Sequence, residues 1–330
     1  LISGTQSLFG IKAQLQFGKA TFTTVFSEQK SETSTIRVEG GAQTTSFEFL
    51  ADDYEANKHY FLAQYFYDNY DASLSNMPFI SSNVTITNID VWVTNKSGVT
   101  QNVRNIIAFQ DLGENMNNVY NSSNISSGSL SGSNPDNRNN SIEPSNLVGD
   151  FPNIRNVSQI TSSLNGTGFE QAIDYEKIEN ARKLNSSEYS FHPQLGFISL
   201  NQALNSDEVL AVAFQYTING IPYQVGELST DVASPDALVL KLLKSTIVDV
   251  SLPMWRLLMK NVYSLRAYQV NKEDFDLQIF YQDDQSGTPL PYIPEEGLSD
   301  EILIQTMNLD NLNRNNDPGS DGIFDFIPNL

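Results

Sequence analysis

Residues 8–27 read LFGIKAQLQFGKATFTTVFS, and this stretch decides the fold expected at the start of the chain. From Phe9 to Phe17, the odd positions are apolar and the even positions are polar or glycine. Such a period of two is typical of a β-strand whose two faces meet different surroundings. The short turn Gly18-Lys19 separates this run from a second alternating run. The pattern therefore predicts an amphipathic β-hairpin.

This hairpin fits two kinds of surroundings, and the pattern leaves both open. A tilted strand that crosses a membrane needs about 9–11 residues, and very short turns are typical of the periplasmic side of an outer-membrane barrel. An amphipathic hairpin in a water-soluble sheet shows the same alternation. The hairpin is therefore expected either in the wall of a transmembrane barrel or in a soluble sheet.

The composition is that of a folded, acidic chain. Its 330 residues are enough for two domains with separate cores, and 39% of them are hydrophobic. A net charge of -20 and a pI near 4.3 exclude a dominant role in nucleic-acid binding, because phosphate backbones would be repelled. Acidity of this size supports solubility but identifies no partner.

The residue types present exclude several kinds of site and of membrane segment. The chain has no cysteine, which excludes disulfides, thiolate metal sites and a cysteine nucleophile. It has no run of about 18 apolar residues, so membrane contact is expected through strands rather than through a helix. Its first residues, Leu1-Ile2-Ser3-Gly4, show no leader pattern, which favours a mature product or an excised piece.

Residues 31–111 are predicted to form a first α+β module. Aromatic residues at helical spacing predict a helix, and two β-branched runs predict strands. The predicted elements are a helix from Asp52 or Asp53 to Pro78 and strands at 83–95 and 105–110. Residues 112–168 then turn rich in asparagine, serine and glycine. Such a segment cannot order itself unaided, so it is predicted to be a surface excursion.

Residues 169–330 are predicted to form a second α+β module. Asn219-Gly220 is a strong hairpin signal between two of its predicted strands. The predicted elements are helices at 169–184 and 235–244, strands at 196–200, 208–217, 223–228 and 274–281, a turn at 284–287, and a stretch at 249–268 that fits helix or strand. The whole chain is thus predicted to be α+β, with the hairpin of residues 1–30 preceding two β-rich modules that each carry one or two helices.

Candidate catalytic groups are sparse. The two histidines, His59 and His192, do not lie at metal-ligand spacing, so neither a zinc site nor a Ser-His-Asp triad is predicted. No glycine-rich phosphate-binding motif follows a predicted strand. We therefore expect no enzyme activity and predict no catalytic or cofactor-binding residues.

One acidic loop near the end of the chain resembles a calcium loop. Aligned on Gly322, it places Asp317, Asp321 and Asp325 at positions one, five and nine of such a loop. Glycine and proline occupy positions three and twelve, where ligands are needed. The loop is therefore either a calcium site formed by the three aspartates or an Asp-Pro-Gly surface turn.

Several short strings, spread over nearly the whole chain, resemble one known family. They are GIKAQLQFGK at 10–19, YEANKH at 54–59, VWVTN at 91–95, PQLG at 193–196, MKNVYS at 259–264 and DGIFDF at 321–326. The resemblance is to the SprA/Sov family, which comprises very large outer-membrane proteins of Bacteroidota.

The resemblance implies the translocation pore of the type IX secretion system, which also exports adhesins in gliding members. The family forms a wide single-chain β-barrel that conducts folded cargo proteins. A PorV-like partner barrel occupies its lateral opening, and a plug protein lies at its periplasmic end. Because family members are far longer than this chain, the resemblance implies an internal fragment, and the family has no catalytic residues to transfer.

The hairpin indicates on which side of the membrane the two modules would lie. If Gly18-Lys19 is a periplasmic turn, the second strand ends on the outer side, where long insertions of barrels are found. The two modules are then expected outside the cell, as part of a cap or rim over the pore. The alternative is a cell-surface module that binds glycans or proteins.

Overall fold

The computed structural model describes residues 7–17, 20–30, 38–39, 42–43, 47–130, 132–267, 270, 272–273, 275–283, 287–295 and 297–327, the first four ranges by their backbone alone. The chain divides into two compact units. The first unit comprises Leu1–Leu50 with Leu265–Tyr268, and the second comprises Ala51–Ser264 with Gln269–Leu330.

The first unit contains the hairpin that the sequence predicts. Strands β1 (Ser7–Phe17) and β2 (Ala20–Lys30) pair antiparallel in one register from end to end. The pairing of Phe17 with Ala20 leaves two residues for the turn, and that predicted turn lies outside the described residues. A shorter antiparallel pair follows, formed by β3 (Val38–Glu39) and β4 (Ala42–Gln43).

The second unit combines many strands with short helices, which confirms the predicted α+β class. Its strands are β5 (His59–Phe61), β6 (Val84–Val93), β7 (Val103–Phe109), β8 (Tyr175–Lys183), β9 (Tyr189–His192), β10 (Phe197–Leu200), β11 (Leu210–Ile218), β12 (Ile221–Val225), β13 (Leu238–Lys244), β14 (Tyr281–Gln282) and β15 (Pro289–Leu290). Its helices are α1 (Gln64–Asp68), α2 (Tyr70–Leu74), α3 (Pro144–Asp150), α4 (Ile160–Leu164), α5 (Met254–Leu257) and α6 (Leu303–Thr306), with a 3-10 turn at Asn137–Asn139. Among the described residues, none of these helices has the length and apolar character that crossing a bilayer requires.

Five strands of this unit close into a small barrel. Around the barrel their order is β6, β8, β7, β13, β11 and back to β6. All neighbours are antiparallel except β13 and β7, which are parallel. Strand β12 pairs with the second half of β11, outside the closed ring. Closure leaves the ring without a free edge, which protects it from pairing with other chains.

Alternate residues of the barrel strands fill two separate apolar clusters. One cluster contains residues from all five strands, and most of these are alanine or leucine. They are Trp92, Ile106, Ala108, Ile178, Ala181, Ala211, Ala213, Leu238, Leu240 and Leu242. The other joins the opposite strand faces to segments that cover the barrel. We therefore assign the first cluster to the barrel interior and the second to its outer face. Small side chains suit the interior because a five-stranded barrel encloses little space.

Two layers cover part of the outer face. One is the three-stranded sheet in the order β5, β10, β9, together with α1. The other is the Asn/Ser-rich stretch of residues 112–168, which we name the covering segment. Its widely spaced apolar side chains are buried in the outer cluster: Leu112, Ile125, Ile142, Leu147, Ile154, Ile160 and Leu164. Contact with the barrel thus supplies the burial that the segment lacks alone.

Two predicted helices are strands. The predictions for 169–184 and 235–244 were wrong, because these regions contain β8 and β13. Strand β13 is buried along its whole length, so both of its faces are apolar and its sequence shows no period of two. Strand β8 is rich in helix-forming residues, but pairing with β6 and β7 closes the barrel and outweighs that preference.

Other predicted elements are found with shifted ends. Strands predicted at 83–95, 105–110, 196–200, 208–217 and 223–228 correspond to β6, β7, β10, β11 and β12. Asn219 and Gly220 both have positive φ, as a tight hairpin turn requires. The long helix predicted up to Pro78 is replaced by β5, α1 and α2, since the first aromatic residues pair with β10 instead.

The end of the chain also differs from its predicted elements. The ambiguous stretch at 249–268 contains only the short helix α5 among its described residues. In place of the strand predicted at 274–281, the described residues contain β14, which begins at Tyr281. Most of the turn predicted at 284–287 lies outside the described residues.

The predicted division into modules differs from the observed one. Strands β6 and β7 come from the predicted first module, whereas β8, β11 and β13 come from the predicted second module, yet all five form one barrel. The covering segment packs on this barrel rather than separating two bodies. The boundary between compact units lies near Leu50 instead.

Candidate functional site

A buried ion pair fastens the covering segment to the barrel. Lys241 lies on the outer face of β13, and its Nζ donates to Glu114 Oε1 at 2.7 Å and to the carbonyl oxygen of Gln110. The two charged side chains are 0% and 2% exposed. The backbone N–H of Gln64 donates to the same Glu114 oxygen. Hydrogen bonds to both charged groups offset part of the cost of burying a pair this deep.

A second carboxylate lies beside this pair. The side chain of Asp111 accepts hydrogen bonds from the backbone N–H groups of Tyr120 and Asn121, both at 3.0 Å. Burial raises the pKa of Asp111, and these two donors oppose that shift only in part. The Asn140 amide donates to the carbonyl oxygens of Asp111 and Glu114. These contacts fold the start of the covering segment back onto itself.

Arg155 and Glu227 form another anchor for the covering segment. The guanidinium donates to both carboxylate oxygens of Glu227, at 2.5 and 2.6 Å, and also to the carbonyl oxygen of Ala237. Such a bidentate geometry fixes both partners in orientation. No local sequence pattern predicts this pair, because its members are 72 residues apart in the chain.

A further ion pair joins neighbouring parts of the barrel. Lys183 Nζ lies 2.6 Å from Asp90 Oδ1, and the backbone N–H of Ser229 donates to the other carboxylate oxygen. Burial by itself would raise the pKa of Asp90, but the hydrogen bonds from Lys183 and Ser229 outweigh it and lower the pKa. The carboxylate of Asp90 is therefore held in its charged form.

His59 lies between a carboxylate and a hydroxyl, an arrangement that the sequence did not reveal. Its Nε2 is 3.0 Å from Glu55 Oε2, and its Nδ1 is 2.8 Å from Ser199 Oγ. Ser199 lies in the middle strand of a three-stranded sheet, directly opposite His59, so strand pairing brings the two together. We therefore assign the contact to holding β5 against β10.

His192 has a different local role. Its Nδ1 accepts hydrogen bonds from the backbone N–H groups of Gln194 and Leu195. Burial lowers the pKa of His192, which favours the neutral ring that can accept them. The ring thereby fixes the turn between β9 and β10.

The three aspartates of the candidate calcium loop take part in separate hydrogen bonds. Asp325 accepts from the backbone N–H groups of Asn311 and Leu312, and burial raises its pKa. Asp321 accepts from Ile323 N–H, and the N–H of Asp317 donates to Asn313. In the part of the chain that the structure describes, no group of three or more His, Cys, Asp or Glu residues could hold a metal ion. The structure therefore does not bring the three aspartates together as ligands.

The end of the chain carries just over half of the net negative charge. Residues 272–325 contain thirteen Asp or Glu residues and only two Lys or Arg residues, out of a net charge of -20 for the whole chain. Most of their described side chains are exposed to solvent. This part of the second unit is therefore an acidic, water-facing surface.

Comparison with known protein families identifies a match that covers more than half of the chain. The family model SprA_N, described as motility related/secretion protein, matches residues 3–205. The matched range contains the hairpin, the covering segment and barrel strands β6, β7 and β8. No curated protein shows significant similarity to the chain.

Proposed function

Since the chain belongs to the SprA_N family of motility related/secretion proteins, we propose that it forms an extramembrane cap or rim of a large outer-membrane channel that exports cargo proteins. In this proposal the second unit lies outside the cell. It shapes the mouth of the channel and has no catalytic role.

The hairpin of the first unit is the observation that carries the proposal. Strands β1 and β2 have 11 residues each and are paired over their full length. That matches the length of about 9–11 residues that a tilted membrane strand needs. A two-stranded hairpin is only marginally stable by itself in water, so it calls for neighbouring strands. A barrel wall would supply them.

The second unit suits a position outside the membrane. Its barrel interior is filled with side chains, so the barrel is a packed core rather than a passage for cargo. The exposed acidic surface of residues 272–325 is compatible with water and would discourage adhesion of acidic cargo. These features support a role at the rim of a channel formed by other strands.

The proposed partners are a PorV-like barrel, a plug protein and the exported cargo. The test is affinity purification in mild detergent from cells in which an epitope tag is inserted beside the exposed Asn165 of the intact protein. The tagged protein is expected in the outer-membrane fraction together with the partner barrel. Recovery of the tagged protein alone from the soluble fraction would overturn the proposal.

A further inference from the structure

An open groove lies where the covering segment meets the β11–β12 hairpin. It has a volume of about 470 Å³ and is lined mainly by polar side chains, which include Thr87, Asp136, Arg138, Gln215, Tyr223 and Gln224. Small-ligand sites typically have volumes of about 300–1,000 Å³. The groove is therefore large enough for a small organic ligand.

An aromatic ring is held rigidly in this groove. The ring of Tyr223 stacks on that of Tyr216, with centroids 5.2 Å apart and planes 21° apart. Tyr216 is fully buried, and its hydroxyl donates to the carbonyl oxygen of Pro135 at 2.6 Å. Because its support is fixed, the half-buried Tyr223 offers a ring face at low cost in conformational entropy.

A fixed guanidinium stands on the covering-segment side of the groove. Arg138 donates to the two carboxylate oxygens of Asp136 at 2.8 and 3.1 Å, and this contact raises the pKa of the guanidinium. The arginine side chain is still 54% exposed, whereas the aspartate is buried. Arg138 therefore has N–H groups left for a ligand while its orientation is set.

Two side-chain amides on the hairpin are also fixed. Gln215 Nε2 donates to Gln224 Oε1 at 2.8 Å, and Gln224 Nε2 donates to Asp231 at 2.7 Å. Within the described part of the chain, the hydroxyls of Tyr223 and Thr217 have no hydrogen-bond partner. The groove thus combines an aromatic face with several hydrogen-bonding groups that remain available.

We propose that this groove binds a neutral oligosaccharide. The C–H face of a sugar ring packs well on an aromatic ring, and its hydroxyls both donate and accept hydrogen bonds. Of the residues that line the groove, Arg138 and Asp136 are the charged ones and their charges balance, so the groove favours an uncharged ligand. This inference goes beyond the proposed role in export and does not depend on it.

An extended peptide would also fit the shape of the groove, but strand β12 at the groove disfavours binding of such a peptide. Among the described residues, β12 pairs only with β11, so its second side is an edge. Pro222 lies within this short strand and has no N–H to donate to another strand along that edge. Proline on an edge strand typically prevents the addition of another strand.

The test is saturation-transfer NMR of the whole chain with chitotriose, cellotriose and maltotriose at millimolar concentrations. At least one trisaccharide is expected to bind with a Kd of about 1 mM or lower. Substitutions Tyr223→Ala and Arg138→Lys are each expected to weaken binding about tenfold, which corresponds to about 1.4 kcal/mol, because the first removes the ring face and the second removes the planar guanidinium donors. Arg138→Lys keeps a positive charge beside the buried carboxylate of Asp136, so this variant tests the groove even if the Tyr223 variant fails to fold.

The matched control is Tyr120→Ala, which removes a tyrosine that is 46% exposed elsewhere in the covering segment and should leave binding unchanged. Absence of binding by all three trisaccharides would overturn the proposal. So would binding that both groove variants leave unchanged. Reduced, carboxymethylated lactalbumin serves as an unfolded polypeptide probe, and its binding in place of the sugars would also contradict the proposal.

Discussion

Lys241 is the single residue whose role differs most from what its sequence context indicates. It lies in the apolar run Leu238–Lys244, where a lysine in a predicted helix would be placed on the solvent side. The barrel instead buries it against Glu114 of the covering segment. A buried charge without its partner is strongly destabilising, because the remaining charge has neither water nor a counter-ion.

We therefore expect Lys241→Met to lower the free energy of unfolding by about 3–5 kcal/mol, as measured by urea denaturation. The double variant Lys241→Met with Glu114→Gln should recover much of this loss, because position 114 then no longer carries a buried charge without its partner. A double variant that is no more stable than the single one would contradict this account.

Asp90 gives a prediction about pH. Its pKa in the folded chain lies below the unfolded value of about 3.9, so its contribution to stability is present above that pH and is lost as the pH falls through the folded value. Asp90→Asn should cost about 2 kcal/mol at neutral pH and reduce the loss of stability below about pH 4.

The measurement is urea denaturation at several pH values. Glu179→Gln removes one exposed acidic charge and serves as the control. If the two variants change the pH dependence of the free energy of unfolding equally, the special role of the Asp90–Lys183 pair is wrong.

Individual elements show where sequence reasoning succeeds and where it fails. Strands β6 and β11 were predicted because β-branched and apolar residues dominate them, and the Asn219-Gly220 turn was predicted by its residue types. The sequence does not identify β13 as a strand, because burial on both faces removes the period of two. Periodicity reports one buried face and cannot distinguish a strand with two buried faces from a buried helix.

The burial of the covering segment is also hard to predict from its sequence. Its seven buried apolar residues are spread singly among asparagines and serines, so no local window looks hydrophobic. The contacts at the candidate site cannot be predicted from local sequence either. Lys241 and Glu114 are 127 residues apart, and only the closed barrel brings them together.

The attachment of the covering segment is testable through Arg155. Arg155→Ala leaves the buried Glu227 without its bidentate partner, so we expect a loss of about 3 kcal/mol in the free energy of unfolding. Hydrogen exchange should increase in the covering segment before it increases in the barrel strands.

The matched control for Arg155 is Arg256→Ala. Arg256 also pairs with a carboxylate, Asp68, but it is 45% exposed, so its loss should cost at most about 1 kcal/mol. Equal effects of the two substitutions would show that the covering segment is not anchored at Arg155.

The sheet that covers the barrel depends on a glycine. Gly196 has φ +66°, and a Cβ there would lie 2.2 Å from Cδ1 of Phe66, which is buried in the outer cluster. Gly196→Ala should therefore destabilise the chain through both backbone strain and overpacking, by about 3 kcal/mol in thermal or urea unfolding.

Gly166→Ala separates these two causes. Gly166 also has positive φ, but nothing lies within 4 Å of the added Cβ. Backbone strain alone should cost about 1–2 kcal/mol there. If both glycine variants lose the same stability, the close packing of Gly196 on Phe66 contributes nothing.

At the scale of the whole molecule, the two units differ in kind. The first contains a paired hairpin with the strand length of a membrane barrel, whereas the second encloses its own apolar core and carries a strongly acidic end. Family membership places the chain among motility related/secretion proteins. In the account proposed here, the first unit joins a channel wall and the second stands outside the cell.

The most direct test of this account is to determine on which side of the membrane the second unit lies. The chain has no cysteine, so Ser186→Cys would introduce its single thiol on an exposed loop of the second unit. Ala213→Cys, in the barrel interior, is the buried control that should react only after unfolding. A membrane-impermeant maleimide applied to intact cells is predicted to label the Ser186→Cys protein. Labelling that occurs only after the outer membrane is permeabilised would contradict an extracellular second unit.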